Sequence, residues 1–322
     1  MSSISLLAIS NPALPELSRL EELQGPVDLI VSNDLEYLTA RAADADVILN
    51  CAFRGDLFCT VFPLARKVRW VHSLAAGVET ILCPELAASP VPLTNGRGVF
   101  RGSLAEFTIT AILYFAKEVR RMIRQQQAGL WEQFDVAEIK GQTLGIVGYG
   151  EIGRASAELA RALGMKVIAL RRRISLSQAD PLLDAVYPAD KLCDLMAASN
   201  YVLAAAPITP ETRGMIGAPE LQAMKPSAVI INVGRGPVID EAALIDALRE
   251  SRIAGAALDV FDEEPLPPGH PFYELENVLL SPHCADHTPG WVGLAMQQFL
   301  EEFERFRTGQ PLLNVVDKQA GY

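Results

Sequence analysis

The chain has 322 residues, 50% hydrophobic and 21% charged, which suffices for two globular domains with separate cores. A formal net charge of −11 argues against nucleic acid and acidic membrane surfaces as partners, so an anionic ligand has to be drawn in by local basic clusters. The five cysteines, Cys51, Cys59, Cys83, Cys193 and Cys284, show no CxxC spacing, which fits a reducing compartment better than a disulfide framework or a metal site.

The apolar run Ile4 to Ile9 has no basic region ahead of it, so it reads as a first strand and not as a signal peptide. No apolar run approaches the length that spans a bilayer, and a cytoplasmic protein is expected. Residues 1 to 95 alternate strand-like runs (Ser5–Ile9, Val27–Val31, Val47–Asn50, Val68–His72, Val91–Thr94) with helical ones (Pro15–Leu23, Leu35–Ala42, Leu57–Ala65). Such alternation predicts a parallel sheet covered on both faces. After the fourth strand comes SLAAG, Ser73 to Gly77, a turn able to offer the N–H groups of Ala76 and Gly77 to a carboxylate, although small residues after a strand more often serve close packing.

Ser103 to Glu106 has the S-x-x-E spacing of a capping box and predicts a helix start. The helix is apolar nearly all round to Ala116 and then turns polar through Lys117, Glu118, Arg120, Arg121 and Arg124, so it should begin buried and emerge into solvent.

From Thr143 to Arg173 the chain reads TLGIVGYGEIGRASAELARALGMKVIALRRR: strand, turn with Gly148, Gly150 and Gly153, helix, strand. Gly148 bends the chain, Gly150 lets phosphates approach the backbone, and the helix aims its partly positive N-terminus, Glu151 and Ile152, at them. Gly153 permits close packing of helix on strand. Glycines of this spacing inside a strand–helix–strand unit predict a dinucleotide site. Where an NAD site ends its second strand in a ribose-binding acid, Leu170 is followed by Arg171, Arg172 and Arg173, which can pair with a ribose phosphate; NADP(H) is expected over NAD(H), the alternative being a solvated basic loop.

Further strands are predicted at Tyr201–Ala205, Val229–Val233, Ala254–Leu258 and Val278–Leu280, with a helix over Glu241–Glu250 capped by Asp240. Ligands of open parallel sheets bind beyond the C-terminal strand ends. Three such ends carry reactive side chains: Arg235 between two glycines, Asp259 with Glu264, and His283 after Pro282. An arginine placed like Arg235 can form a fork-like pair with a carboxylate. Thr288 and Pro289 look like the start of a last amphipathic helix, ending at Gly309, whose return to the first domain would make that domain discontinuous.

GIVGYGEIG, PITPETRGMI, INVGRGPVID, ALDVFDEEPL and NVLLSPH, with SLAAGVE and NGRGVFRGSLAEF more loosely, resemble the D-isomer-specific 2-hydroxyacid dehydrogenase family over nearly the whole chain. The resemblance implies an α/β protein of two doubly wound parallel-sheet domains. A Rossmann cofactor domain (101–287) would be inserted into a flavodoxin-like substrate domain (1–100 and 288–322). It implies catalytic roles for Arg235, Glu264 and His283, substrate contacts at Ala76, Gly77 and Arg235, and cofactor contacts that include Pro207, Thr212, Val233, Gly234 and Asp259. It also implies a homodimer.

The activity implied is hydride transfer between a nicotinamide cofactor and a small 2-oxo or 2-hydroxy acid, of glyoxylate or hydroxypyruvate reductase type. His283 would be the proton donor, held by Glu264. Asp259 would orient the nicotinamide amide. Asp286 and His287 depart from the family's small residues. They, like Arg97 and Arg101, either select a polar substrate group or form structural ion pairs. Trp131 and Trp291 are expected in apolar packing, the alternative being that they line the cleft. The rival reading is a cofactor-sensing binding protein, against which stands the intact Arg235, Glu264 and His283 set.

Overall fold

The computed structural model describes residues 3–52, 55–172, 174 and 179–321. It divides into two compact units, Met1–Phe100 with Pro289–Tyr322, and Arg101–Thr288.

In the first unit β1 (Ile4–Ile9), β2 (Val27–Ser32), α1 (Leu35–Arg41), β3 (Val47–Asn50), α2 (Gly55–Val61), β4 (Trp70–Ser73), α3 (Pro84–Ala88) and β5 (Leu93–Asn95) follow one another. The strands form a parallel sheet of order β2-β1-β3-β4-β5, the flavodoxin-like order. Its inner strands β1 and β3 are nearly continuous apolar runs, covered on both faces, whereas the edge strand β2 exposes Asp28 and Leu29. Leu7, Ile9, Ile48, Val71 and Leu93 enter the core on one face, and the alternate residues Leu6, Ala8, Val47, Leu49 and Trp70 enter the core on the other.

The second unit comprises α4 (Arg101–Ala116), α5 (Val119–Ala128), β6 (Thr143–Val147), α6 (Glu151–Ala162), β7 (Lys166–Leu170), β8 (Ala185–Tyr187), α7 (Leu192–Ala198), β9 (Tyr201–Ala204), α8 (Ala218–Ala223), β10 (Val229–Asn232), α9 (Glu241–Arg249), β11 (Gly255–Leu258) and β12 (Val278–Leu280). All seven strands are parallel in the order β12-β11-β10-β9-β6-β7-β8, the doubly wound order that reverses between β6 and β9. The three-residue β8 has no fully buried side chain and carries no readable sequence signal.

The chain returns to the first unit through α10 (Trp291–Arg307), which lays Ala295, Met296, Phe299 and Phe303 on the β1–β3–β4 face; Phe299 stacks on Trp70 at 5.5 Å. The C-terminal tail then pairs with β5, Val316 N–H donating to Leu93 O at 2.8 Å.

Three local expectations are corrected. The helix predicted from the capping box starts at Arg101, two residues before Ser103, whose hydroxyl donates instead to Ala285 O. The helix does not run straight into solvent: Glu118 adopts a left-handed conformation (φ 54°), separating α4 from α5. The last helix is entered through left-handed Gly290 (φ 81°) and not from Thr288, because only glycine takes that conformation without strain.

Candidate active site

The turn from β6 into α6 is built by glycine geometry. Gly148 has φ +98°, and a Cβ there would lie 2.5 Å from Ala206 N; a Cβ on Gly153 would lie 2.7 Å from Gly148 O. Gly150 differs, since a Cβ on it would meet nothing within 4 Å. Gly150 is also the N-cap of α6, with no side-chain cap for the first N–H groups at Glu151, Ile152 and Gly153. Open space in front of an uncapped helix N-terminus fits a diphosphate.

The surrounding loops complete the rim. Gly234 follows β10, where a Cβ would meet Ala206 O at 2.8 Å, and Val233 beside it is buried. Thr212 is committed within its own turn, its hydroxyl donating to Pro207 O at 2.6 Å and accepting from Thr209 N–H at 2.8 Å, so it shapes the 207–212 loop. Arg171 leaves the end of β7 with its N–H bonded to Tyr187 O and its guanidinium 5.7 Å from the centre of the Tyr149 ring. Arg172 lies beside it, exposed, and Arg173 lies outside the described residues.

The neighbouring strands β10, β11 and β12 carry the reactive set at their C-terminal ends. Glu264 accepts from Phe261 N–H through Oε1 at 2.9 Å and meets His283 Nδ1 through Oε2 at 2.6 Å. The hydrogen bond to Glu264 raises the imidazole's pKa, against desolvation. Burial pushes the Glu264 carboxyl up, but the bonds from His283 and Phe261 and the nearby charges of His283 and Arg235 outweigh it and hold it below the usual range. His283 itself sits at φ 50°, left-handed for a residue with a side chain, and is held there by its neighbours. Asp259, 1% exposed, accepts from both Cys284 N–H (3.0 Å) and Ala285 N–H (3.1 Å), locking the turn that presents the imidazole.

Arg235 is placed by the turn after β10. Asn232 Oδ1 accepts from Gly234 N–H at 3.1 Å, while its Nδ2 donates to Arg235 O at 3.1 Å. The next residue, Gly236, passes so near the β11 loop that a Cβ would overlap Phe261 at 2.0 Å, which brings Arg235 into the field of Glu264. One guanidinium nitrogen donates to Gly234 O at 2.8 Å.

The sequence pattern of "D-isomer specific 2-hydroxyacid dehydrogenase, NAD binding domain" matches residues 109–285, more than half of the chain. The chain is 34% identical over 293 residues to the glyoxylate reductase of Aeropyrum pernix, covering 88% of this chain and 86% of that protein.

This chain belongs to the D-isomer specific 2-hydroxyacid dehydrogenase family.

As a member of that family it is an oxidoreductase that works with a nicotinamide cofactor. Two solved structures share its fold over 100% of both chains. A D-isomer specific 2-hydroxyacid dehydrogenase from Xanthobacter autotrophicus, in complex with NADPH and MES, has a TM-score of 0.83 at 29% identity. The NADPH-dependent glyoxylate/hydroxypyruvate reductase of Sinorhizobium meliloti, in complex with NADP and sulfate, has a TM-score of 0.85 at 26% identity.

Other parts of the dehydrogenase chain fall outside this reactive set. Arg101 pairs with Glu151 at 3.0 Å, beside the glycine turn. Asp286 lies 3.8 Å from His287, and it adds to the charges that raise the His283 pKa. In the first unit the SLAAG turn is fixed through its carbonyls, Ala75 O accepting from Gly96 N–H (3.1 Å) and Ala76 O from Asn95 Nδ2 (2.5 Å). Trp291 packs on Phe100 at 5.4 Å, but Trp131 is 97% exposed and has no apolar packing, contrary to expectation.

Sequence reasoning missed Asn232, Tyr149 and Asp180. Asn232 had a signal, an Asn at a strand end two residues before a glycine. Asp180, whose carboxylate accepts from Tyr149 Oη at 3.1 Å, had none. Among the described residues no group of three or more His, Cys, Asp or Glu is arranged to hold a metal ion, and no helix is long and apolar enough to cross a membrane.

Proposed function

We propose that this protein is an NADPH-preferring reductase that converts a small 2-oxo acid of glyoxylate or hydroxypyruvate type into the D-2-hydroxy acid. The observation that carries the reading is the 2.6 Å pair of Glu264 and His283, which follow β11 and β12, beside Arg235 after β10. The arginines closing β7 support NADPH, and the names of the similar reductases support the substrate class.

When bound, the cofactor supplies hydride to the carbonyl carbon. His283 gives Nδ1–H to Glu264, so Nε2–H is the proton left to donate to the carbonyl oxygen. Glu264 holds the ring and favours its charged form. Arg235 binds the substrate carboxylate. Asp259 fixes the turn that carries the imidazole and would orient the nicotinamide amide. Gly148, Gly150, Glu151, Ile152 and Gly153 take the diphosphate, Arg171 and Arg172 take the ribose phosphate, and Pro207, Thr212, Val233 and Gly234 line the cofactor.

Residues 101–287 act as the cofactor domain and residues 1–100 with 288–322 as the substrate domain, in which the N–H groups of Ala76 and Gly77 serve a carboxylate. A cytoplasmic homodimer is proposed. Supporting the dimer, Met122, Ile123, Leu130 and Trp131 leave apolar surface exposed on and just after α5.

The deciding experiment mixes the purified protein with NADPH or NADH and glyoxylate, hydroxypyruvate, pyruvate and longer 2-oxo acids, and follows the nicotinamide absorbance. NADPH oxidation with the two smallest polar acids is expected. Tight NADPH binding without turnover of any acid would replace this reading with a cofactor-sensing binding protein.

A further inference from the structure

We propose that Tyr149, the residue between the first two glycines of the turn, is a positioning residue for recognition of the cofactor's ribose phosphate, an inference that rests on the NADPH reading above. The Arg171 guanidinium lies 5.7 Å from the centre of the Tyr149 ring, inside the range in which a cation is attracted to an aromatic face. The ring is itself held. Tyr149 is 5% exposed, and its hydroxyl donates to Asp180 Oδ2 at 3.1 Å. Asp180 is braced in turn, by Arg154 Nε at 3.6 Å and by Leu182 N–H, which donates to its other oxygen at 3.0 Å.

An arginine side chain loses much rotamer freedom when it is fixed, and a guanidinium already resting on a ring loses less of it on meeting a phosphate. The same side chain leaves the diphosphate turn and ends at the loop after β7, so one residue couples the shape of the phosphate turn to the arginine that follows Leu170. Burial, and then the Asp180 carboxylate, push the phenol's pKa up, so it remains a hydrogen-bond donor at neutral pH. Arg154 offsets the negative charge that Asp180 would otherwise direct at an anionic ligand.

Calorimetric titration with adenosine 2′,5′-bisphosphate and with 5′-AMP isolates the ribose phosphate from the rest of the nucleotide. Arg171→Ala is expected to lower the ratio of the two affinities by about tenfold. Tyr149→Leu, which removes the ring, should lower it by about fivefold, and Tyr149→Phe, which keeps the ring but cuts the tie to Asp180, by about twofold. A normal ratio in Tyr149→Leu, with a lowered one in Arg171→Ala, overturns the role of Tyr149 and leaves the NADPH reading standing. A normal ratio in Arg171→Ala overturns the inference together with the assignment of Arg171 to the ribose phosphate, and a normal ratio when Arg172 is replaced as well overturns the NADPH reading. Should Tyr149→Leu lack the circular dichroism of the native fold, Tyr149→Phe decides, and an unchanged ratio there overturns the inference.

Discussion

Nδ1 of His283 and Oε2 of Glu264 lie 2.6 Å apart although 19 residues separate them in the chain. The bond occupies one ring nitrogen and favours the protonated ring. On the proposed mechanism the imidazole gives its proton during reduction, so kcat/KM is expected to fall as pH rises through its pKa. Glu264→Gln withdraws the favourable charge, and the falling limb should move to lower pH. His283→Ala should cost about a hundredfold to ten-thousandfold in kcat while NADPH affinity is retained. Near-native turnover in His283→Ala, or an unmoved limb in Glu264→Gln, removes the pair from catalysis.

Gly150 allows folding and the proposed cofactor binding to be tested apart. Among the described residues a Cβ there meets no atom within 4 Å, and φ is −95°, which alanine adopts readily. Gly150→Ala should therefore keep its melting temperature within a few degrees while weakening NADPH binding by about tenfold or more, because the methyl group occupies the space where the diphosphate approaches. Unchanged affinity would mean that the phosphates bind elsewhere.

Arg171→Asp should reverse the charge offered to a ribose phosphate. The ratio of kcat/KM for NADPH over that for NADH is expected to fall by about tenfold or more, with part of the change a gain for NADH. Steady-state kinetics with both cofactors tests this, and an unaltered ratio counts against recognition at this position.

His72 sets an acid limit on stability. It is fully buried beneath α10, its Nδ1 meets Thr94 Oγ1 at 2.7 Å, and among the described residues Nε2 has no hydrogen-bond partner; burial lowers its pKa to about 3. The unfolded chain, with a histidine pKa near 6.5, binds the proton that the folded chain refuses. Stability from this group is thus fully present above pH 6.5 and is lost as pH falls toward 3, by about 1.4 kcal/mol per pH unit. His72→Asn should show a flatter decline in urea midpoint between pH 7 and pH 4. Parallel declines for both proteins would refute the role of His72.

Trp131, 97% exposed, marks the proposed dimer surface. Trp131→Asp should weaken self-association by about tenfold or more, read by sedimentation equilibrium. If the native protein sediments as a monomer at micromolar concentration, the dimer is wrong.

Sequence alone determined the elements whose causes are local. Gly148 and Gly153 declare their turn because a positive φ and a tight helix–strand contact exclude side chains, while Gly150 leaves open space before the helix. The apolar runs of β1, β3, β10 and β11 declare strands covered on both faces, and the glycines beside Arg235 mark a side chain offered at a strand end. Tertiary structure decided everything that depends on which loops meet. That Asp259 accepts from the N–H groups after His283, that Arg101 pairs with Glu151, and that Asp180 holds Tyr149 all follow from strand order and loop path. Spacing along the chain does not encode these contacts, because residues tens of positions apart become neighbours only once parallel strands are laid side by side.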